Sequence, residues 1–528
     1  MIKDKKNFWF LFTIFVIGLL TAGGYGVYLD QSLEQEILYM NFKEYLLHLP
    51  GDFSNLISQF TAAGIPEISK SIEMDHGCAV FYPLFPLWFL EKTSPFACLI
   101  IRYFYTFAIN FLGICSLYFL GQALFKSKKC AMVMILLFFL SPRMFAEVHY
   151  NNKDVVLLSL CFSLFYFGFK LREELTFKNV FMLAFVGAFA ANTKIIGGFF
   201  FGMTGLFVLL HYLLNRKCTM KVWKNVALCI ALFFIIFIAI TPACWNDIMG
   251  YFVYLFGNAV NYNLWNDYVL FNGKPIQHEY TGIPRKYLPT MIALTTPIFI
   301  LLLSVAGYLK LLFSVVKTKA KSLLETEGFI LACAMTVGIP LIFGILNATP
   351  VYNGWRHFYF AYSAIVLGAG YCFYRLDKIA EKYAWKAMTV YLAVLAVGIA
   401  INYPQEHSYF NVLAGKDMES KYELDYWDVS MRESLEWLSK EADNATVGAL
   451  NNPTMWGILD TIYASPTKIR NDFVVKDSWE EAEYVIVNPG YAYLYSVENY
   501  QYLKDNYTMV YQIKSYGNIL NEIYRADN

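Results

Sequence analysis

Acidic residues follow the first long apolar run of the chain, in the stretch GGYGVYLDQSLEQE of residues 23–36. Because the preceding residues are apolar enough to enter a bilayer, Asp30 is expected where a membrane helix leaves the lipid. Carboxylates at membrane depth are costly and are usually functional. We therefore interpret Asp30 as a candidate general base, with Glu34 one helical turn later as a second candidate. A solvated acidic loop is the alternative.

A second polar cluster has the sequence LSPRMFAEVHYNNKD, at residues 140–154, and lies between two short apolar runs. Arg143 and Lys153 suit the binding of a phosphate group. Asp154 suits a divalent cation that bridges to phosphate. Loop solvation and lysine snorkelling would also account for these charges. A binding role is favoured because Arg143 directly follows Ser-Pro at the end of an apolar run.

Two isolated cations occur at the ends of other apolar runs, Lys194 in ANTKIIGG and Arg356 in VYNGWRHFYF. Interfacial anchoring explains each of them about as well as binding does. All four cations are nevertheless predicted on one face of the membrane. Arg143, Lys153, Lys194 and Arg356 could therefore converge on one anionic headgroup.

Three histidine positions are candidate substrate contacts: His76 in MDHG, His357 beside Arg356, and His278, which is followed by Glu279. A lone histidine is more often structural, so these are weaker indications. The chain has no HExxH, GxSxG, Walker or GxGxxG motif. No nucleotide cofactor is therefore expected.

The elements that position these residues are predicted to be membrane helices. The chain has 528 residues, of which 57% are hydrophobic and only 16% are charged. Soluble domains are typically about 25% charged, so the composition indicates a polytopic membrane protein. The net charge of +1 gives no indication of a nucleic-acid partner.

Eleven apolar runs are predicted to cross the bilayer, at residues 8–27, 96–122, 130–145, 154–171, 178–193, 195–214, 224–243, 289–313, 328–346, 357–375 and 385–402. Lysine and arginine are concentrated in alternate loops, which predicts a cytoplasmic N-terminus. The outer loops are then residues 28–95, 143–154 and 244–287. We predict a multi-pass protein of the plasma membrane, of bacterial type.

The composition changes after residue 402, where charged residues become common and apolar runs shorten. Strands are predicted at 445–450, 473–476, 484–488, 509–513 and 520–524, with helices at 427–441 and 479–483. Residues 1–402 are thus predicted to form the transmembrane domain. Residues 403–528 are predicted to form a small extracytoplasmic α/β domain.

Several stretches resemble, in order and spacing, the GT-C superfamily of glycosyltransferases. They are GVYLDQSLEQ, MDHG, LSPRMFAEVHYNNKDVV, NTKIIGG, YLPTMIALTTP, YNGWRHFYF and HSYFNVLAG…YELDYWDVSMRESLEWL. The most similar members use polyprenyl-phosphate sugars and include protein O-mannosyltransferases and bacterial aminoarabinose transferases. Such enzymes often carry an Asp-Glu pair after the first span, where this chain has Asp30-Gln31. Any metal or base role that the second carboxylate has in such enzymes is therefore not expected at Gln31.

The resemblance implies transfer of a sugar from a polyprenyl-phosphate carrier to an acceptor hydroxyl on the outer face, with inversion at the anomeric carbon. Asp30 would accept the hydroxyl proton, and the four cations would stabilise the leaving phosphate. A divalent metal cation held by Asp154 is one option. Protein, lipid and glycan acceptors all stay open.

A lipid or glycan transporter or flippase is the competing class, because it would explain many spans and buried charges equally well. Against it, the two halves of the chain do not match, and the polar clusters collect on one face. A non-catalytic envelope scaffold is a third interpretation.

Overall fold

The computed structural model describes residues 5–260, 268–277, 282–318, 321–466, 469–470, 472–494 and 496–527. Its α-helices are α1 Lys5–Ala22, α2 Gln31–His48, α3 Ser54–Ala62, α4 Leu87–Glu91, α5 Pro95–Phe125, α6 Lys128–Phe139, α7 Pro142–Tyr150, α8 Asp154–Glu173, α9 Phe177–Thr193, α10 Ile196–Leu214, α11 Met220–Ala239, α12 Ile248–Val260, α13 Tyr287–Thr295, α14 Ile298–Lys317, α15 Thr326–Leu346, α16 Tyr362–Asn402, α17 Met431–Glu441, α18 Asn452–Tyr463 and α19 Val497–Asn506. Its strands are β1 Tyr268–Phe271, β2 Lys274–Gln277, β3 Ala445–Ala449, β4 Phe473–Val475, β5 Tyr484–Val487, β6 Tyr507–Ser515 and β7 Asn518–Ala526.

Long apolar helices dominate the first part of the chain, as predicted for a polytopic membrane protein. Eight of the described helices are long and apolar enough to cross a membrane, or nine if the bent pair α6 and α7 forms one span. Even with that pair counted as one span, the count is lower than the predicted eleven for two reasons. Helix α9 has only 17 residues, and the last two predicted spans lie in one helical run, residues 356–402.

That last run folds back on itself at Ala380, whose backbone is not helical (φ −146°, ψ 51°). The indole Nε1 of Trp385 donates to Oδ1 of Asp377 at 2.7 Å, and the rings of Phe373 and Trp385 lie 5.1 Å apart. In a straight helix, residues twelve positions apart would be separated by about 18 Å. The two halves of α16 are therefore antiparallel neighbours, which matches the two spans predicted from the sequence.

The end of the chain forms a small α/β domain, and its five predicted strands are confirmed. The sheet order is β4-β3-β5-β7-β6, in which β3 is parallel to β4 and β5. Strand β7 is antiparallel to both of its neighbours. Helix α17 covers the sheet because Met431, Leu435 and Leu438 recur on one helical face and pack against Val447 and Ile486.

Residues 268–277, in the predicted outer loop 244–287, form a β-hairpin. Strands β1 and β2 are antiparallel, and Asn272 (φ 52°) and Gly273 (φ 74°) make the turn between them. Two successive residues with positive φ are typical of the type I′ turn that Asn-Gly favours. The Asn272-Gly273 pair was therefore a signal for this turn in the sequence. Phe271 also bridges to Tyr422, which attaches the hairpin to the first part of the C-terminal domain.

The membrane orientation can be tested by thiol labelling of intact cells. Cysteines introduced at exposed Asp52 and Glu498 should react with an impermeant maleimide, because both sites are predicted to face outward. A cysteine at Lys317, at the end of α14, should react only after permeabilisation. Labelling of the Lys317 site in sealed cells would contradict the predicted orientation.

Candidate active site

The segment that carries Asp30 lies against the C-terminal domain. Arg432 of α17 donates a hydrogen bond to the carbonyl oxygen of Gly23 at 2.9 Å. The backbone N–H of Leu29 donates to the carbonyl oxygen of Trp427 at 3.0 Å. The position of Asp30 therefore depends on both domains.

Two glycines in this segment permit the close approach. A Cβ atom at Gly26 would lie 2.1 Å from the carbonyl oxygen of Val429, and one at Gly24 would lie 1.7 Å from the Tyr403 hydroxyl. Only glycine avoids both clashes. Close packing thus explains why Gly24 and Gly26 are glycines, which the sequence alone did not reveal.

Asp30 immediately precedes α2 and keeps its carboxylate partly open to solvent, with 39% of the side chain exposed. Nη1 of Arg356 lies 3.4 Å from its Oδ2 and 3.7 Å from Oδ2 of Asp154. The Arg356 guanidinium is buried and lies over the Trp427 ring, 4.4 Å from its centroid. One arginine therefore connects an exposed carboxylate with a buried one.

Asp154 is the first residue of α8, and its side chain is buried. Lys194, just past the end of α9, forms an ion pair with its carboxylate. The side chain of Asn151 accepts a 2.8 Å hydrogen bond from the backbone N–H of Asp154, which fixes the start of the helix. Asp154 thus acts as a buried anion that positions Lys194 and Arg356.

The residues around Asp154 do not fit a divalent cation. The described part of the chain contains no group of three His, Cys, Asp or Glu side chains that could hold one. The Asp154 carboxylate also already faces the two cations Lys194 and Arg356. We therefore assign no step to a metal.

Glu34, the second candidate base, is buried and engaged at both carboxylate oxygens. Nζ of Lys153 lies 2.6 Å from Oε1, and Asn152 donates to Oε2 at 3.2 Å. Burial lowers the pKa of Lys153, but the nearby Glu34 outweighs this effect, so the pKa is raised overall. Glu34 therefore holds Lys153 in its charged form, while Asp30 is the more open carboxylate.

The predicted histidine contacts differ in their placement. His76 hydrogen-bonds to Glu73, which lowers the Glu73 pKa, and Lys153 acts on the same carboxylate. His76 therefore lies at the rim of the cluster. His357 is packed against Tyr352, with ring centroids 4.7 Å apart. The predicted pair His278 and Glu279 lies outside the described residues.

Arg143 belongs to a neighbouring cluster. It donates to the Tyr426 hydroxyl at 3.4 Å and to the carbonyl oxygen of Tyr409 at 3.3 Å. It lies on α7, which is bent by 76° from α6. This bend directs Arg143 toward the start of the C-terminal domain, and no contact joins it directly to Lys153, Lys194 or Arg356 among the described hydrogen bonds and ion pairs.

Glu147 connects the two clusters. It accepts hydrogen bonds from the hydroxyls of Tyr359 at 2.7 Å and Tyr426 at 3.1 Å. Its other oxygen accepts from Asn151 at 2.7 Å, and Asn151 also lies 3.5 Å from Asp154. Arg143 is therefore connected to Asp154 through this buried hydrogen-bond network.

Two site residues were not predicted. Trp427 supports Arg356 from the C-terminal domain, and the only sequence signal was the aromatic and acidic run YELDYWDV. Arg102 is buried in α5, 3.5 Å from the side-chain oxygen of Gln35 on α2. An arginine inside a predicted span was itself a signal of function or pairing.

Three buried polar nitrogens at the site have no hydrogen-bond partner among the described residues: Arg356 Nε, His357 Nε2 and Trp427 Nε1. Nearly all buried polar groups in native proteins are hydrogen-bonded, so each exception needs an explanation. Arg356 Nε and Trp427 Nε1 can only donate, so a bound molecule rich in oxygen would supply acceptors for them. The geometry thus combines an open carboxylate, buried cations and unused donors.

The contact between the domains should make stability depend on pH. The Tyr25 hydroxyl donates to Oε1 of Glu406 at 2.7 Å, while burial raises the Glu406 pKa from 4.5 to about 8. The contribution of Glu406 to stability is therefore full below pH 4.5 and is lost as the pH rises through 8. Melting temperatures of the detergent-solubilised protein should fall between pH 5 and pH 8, and should fall less in Glu406→Gln.

Glutamine cannot ionise but can still accept the Tyr25 hydrogen bond. Glu498→Gln, at an exposed position of α19, is the matched control and should keep the wild-type pH slope. If Glu406→Gln also keeps that slope, another group causes the pH dependence.

No family model matches the chain, and no curated protein matches it. Among solved structures, it is similar to ArnT from Cupriavidus metallidurans in the apo state, with 10% identity, a TM-score of 0.48, and coverage of 98% of this chain and 97% of that one. ArnT bound to undecaprenyl phosphate gives 10% identity, a TM-score of 0.46 and the same coverage. The Archaeoglobus fulgidus oligosaccharyltransferase, in complex with Zn and sulfate, gives 11% identity and a TM-score of 0.40, with coverage of 97% and 73%. At these identities and TM-scores the similarity does not support an inference about function. The function proposed below is therefore argued from the site itself.

Proposed function

We propose that this protein is an integral-membrane glycosyltransferase that moves a sugar from a polyprenyl-phosphate carrier to an acceptor hydroxyl on the outer face of the membrane. The observation that carries the proposal is the Asp30–Arg356–Asp154 arrangement, with an open carboxylate 3.4 Å from a buried guanidinium. A base and an anion-binding cation at this distance suit attack on a phosphate-activated carbon. The choice of a polyprenyl carrier comes from the motif resemblance.

Asp30 is the proposed general base. As the acceptor oxygen attacks the anomeric carbon, its proton passes to the Asp30 carboxylate. The bond between that carbon and the phosphate oxygen breaks, and the electron pair leaves with polyprenyl phosphate. One displacement of this kind inverts the configuration at the anomeric carbon.

Arg356 and Lys194 are the proposed phosphate ligands. Both now contact Asp154, which holds them in position without removing their charge. A phosphate could use the unpaired Arg356 Nε together with the Lys194 ammonium, and charged hydrogen bonds of this kind are the strongest that proteins form. Lys153 would add a third positive charge at the rim, beside Glu34.

The proposal can be tested with purified protein in lipid nanodiscs and a panel of undecaprenyl-phosphate sugars. We expect at least one donor to be consumed, with release of undecaprenyl phosphate detected by mass spectrometry. Release should be lost in Asp30→Asn. No release from any donor in the presence of a membrane extract containing acceptors would contradict the proposal.

The same reagents separate a transferase from a flippase. A flippase would move a labelled donor between the two leaflets of a proteoliposome and leave the bond between sugar and phosphate intact. A transferase breaks that bond. Transbilayer movement without cleavage would favour the flippase.

A further inference from the structure

A cleft of about 300 Å³ lies on the other side of α2 from Lys153. Its walls come from α2, α4 and α18, so the transmembrane part and the C-terminal domain each contribute one side. Ligand sites typically have volumes of about 300–1,000 Å³ and often lie between domains. The size and position of this cleft therefore suit a small part of a substrate.

The lining of the cleft combines aromatic surface with hydrogen-bonding groups. Trp88 and Tyr39 are buried aromatic residues of its wall, Tyr463 offers open aromatic surface with 49% of the residue exposed, and Gln35 and Glu91 are among the polar groups. Sugars present an apolar C–H face and an edge of hydroxyls. An aromatic wall with carboxylate and amide groups beside it matches both features.

The carboxylates of the cleft already accept hydrogen bonds from neutral hydroxyls. The Tyr39 hydroxyl donates to Glu91 at 2.7 Å, and the Ser32 hydroxyl donates to Asp460 at 2.9 Å. Glu36 also lines the cleft and is partly exposed. Hydroxyl donors are thus the partners that these carboxylates have in the protein itself.

The cleft is also next to the proposed base. Gln31 and Ser32, which line the cleft, directly follow Asp30 in the chain. A molecule held there could extend a hydroxyl past the first turn of α2. The donor side, with Lys194 and Arg356, would remain free for phosphate.

We propose that this cleft binds the acceptor and that the acceptor is a carbohydrate. This inference rests on the proposed transferase function and names the substrate class at the same site. The cleft selects the sugar ring by aromatic contact and by hydrogen bonds to Glu91 and Asp460. The C-terminal domain therefore takes part in acceptor choice through α18.

A cationic amine is the other molecule that carboxylates attract. Lys92 opposes this, because its ammonium lies at the same cleft, 5.4 Å from the centre of the Trp88 ring. Lys92 therefore offsets part of the attraction that Glu36, Glu91 and Asp460 would exert on an amine. The test below includes an amine so that the two chemistries can be distinguished.

Saturation-transfer difference NMR on the full-length protein in nanodiscs can test the cleft without any donor. The probes are the methyl glycosides of glucose, galactose, mannose and N-acetylglucosamine, together with spermidine. At least one glycoside should bind to the wild type and equally to Asp30→Asn. Glu91→Gln should weaken its binding at least about ten-fold, because a hydrogen bond to a charged group is lost.

Tyr463→Phe provides a second variant in case Glu91→Gln fails to fold, because Tyr463 is 49% exposed. It should also weaken glycoside binding, whereas Glu498→Gln, outside the cleft, should not. Absence of glycoside binding, unchanged binding in both cleft variants, or binding of spermidine alone would overturn the inference. Glycoside binding without donor cleavage would support the cleft and contradict only the proposed transferase.

Discussion

Asp30→Asn should lower the rate of sugar transfer by about 10²–10⁴-fold, which is the usual contribution of a general base. Asparagine has the same size but cannot accept the hydroxyl proton. Donor binding should change little, because Arg356 and Lys194 retain the buried Asp154 as their partner. Single-turnover rates and donor Kd, measured on the same preparation, separate the two effects.

Asp52→Asn is the matched control, because Asp52 is an exposed carboxylate in the same predicted outer loop. It should transfer sugar at the wild-type rate. Glu34→Gln is a different comparison, since it leaves Lys153 without its anionic partner in a buried place. If Asp30→Asn transfers normally and Glu34→Gln is inactive, the base has been assigned one helical turn too early.

Arg356→Ala should weaken donor binding by about ten-fold to a hundred-fold, since each hydrogen bond from a charged group to the phosphate contributes about 1.5–3 kcal/mol. The same change removes a partner of buried Asp154, which can cost about 3–5 kcal/mol of folding free energy. Donor Kd and thermal stability should therefore both be measured. Unchanged donor affinity would exclude Arg356 from the phosphate site.

Arg356→Lys addresses the loss of stability directly. It keeps a positive charge beside Asp30 and Asp154 but lacks the planar guanidinium that stacks on Trp427. We expect it to fold and to bind donor with intermediate affinity. Arg525→Ala is the control, because the ion pair of Arg525 with Glu483 is half exposed and lies near the end of β7 in the C-terminal sheet. It should leave donor binding unchanged.

Much of the site could be predicted because membrane segments restrict where charges occur. Asp154 and Lys194 each lie at the end of an apolar helix, which is where the sequence placed them, whereas Asp30 lies eight positions after α1 ends, at the start of the more polar helix α2. A charge at such a position is conspicuous against apolar neighbours. Local sequence therefore identifies these residues without knowledge of how the helices pack.

The pairing of these residues could not be predicted. Arg356 and Asp30 are 326 positions apart, and only the packing of distant helices brings them together. Arg143 was predicted to share an anionic ligand with Lys153, and this stays a prediction, because the structure shows no direct contact between the two among the described hydrogen bonds and ion pairs. Arg143 lies in the first turn of α7 and contacts Tyr409 and Tyr426, whereas Lys153 follows the end of α7 and pairs with Glu34, and these partners are set by tertiary packing.

The C-terminal fold was predicted more fully than its role. Its strands are short runs that contain β-branched or aromatic residues, so β3, β5 and β7 were located from local sequence alone. Trp427 was missed because it lies in an irregular segment before α17 and acts on a residue of the membrane domain. No local pattern describes a contact of that kind.

The hydrogen bond between Leu29 and Trp427 joins a residue that is synthesised early to one that is synthesised late. Asp30 leaves the ribosome early, whereas Trp427 and Arg432 follow only after every membrane helix has been synthesised. The proposed catalytic centre therefore cannot be completed until the C-terminal domain has been synthesised and folded. Nascent or prematurely terminated chains would remain inactive during biogenesis, without any separate inhibitor.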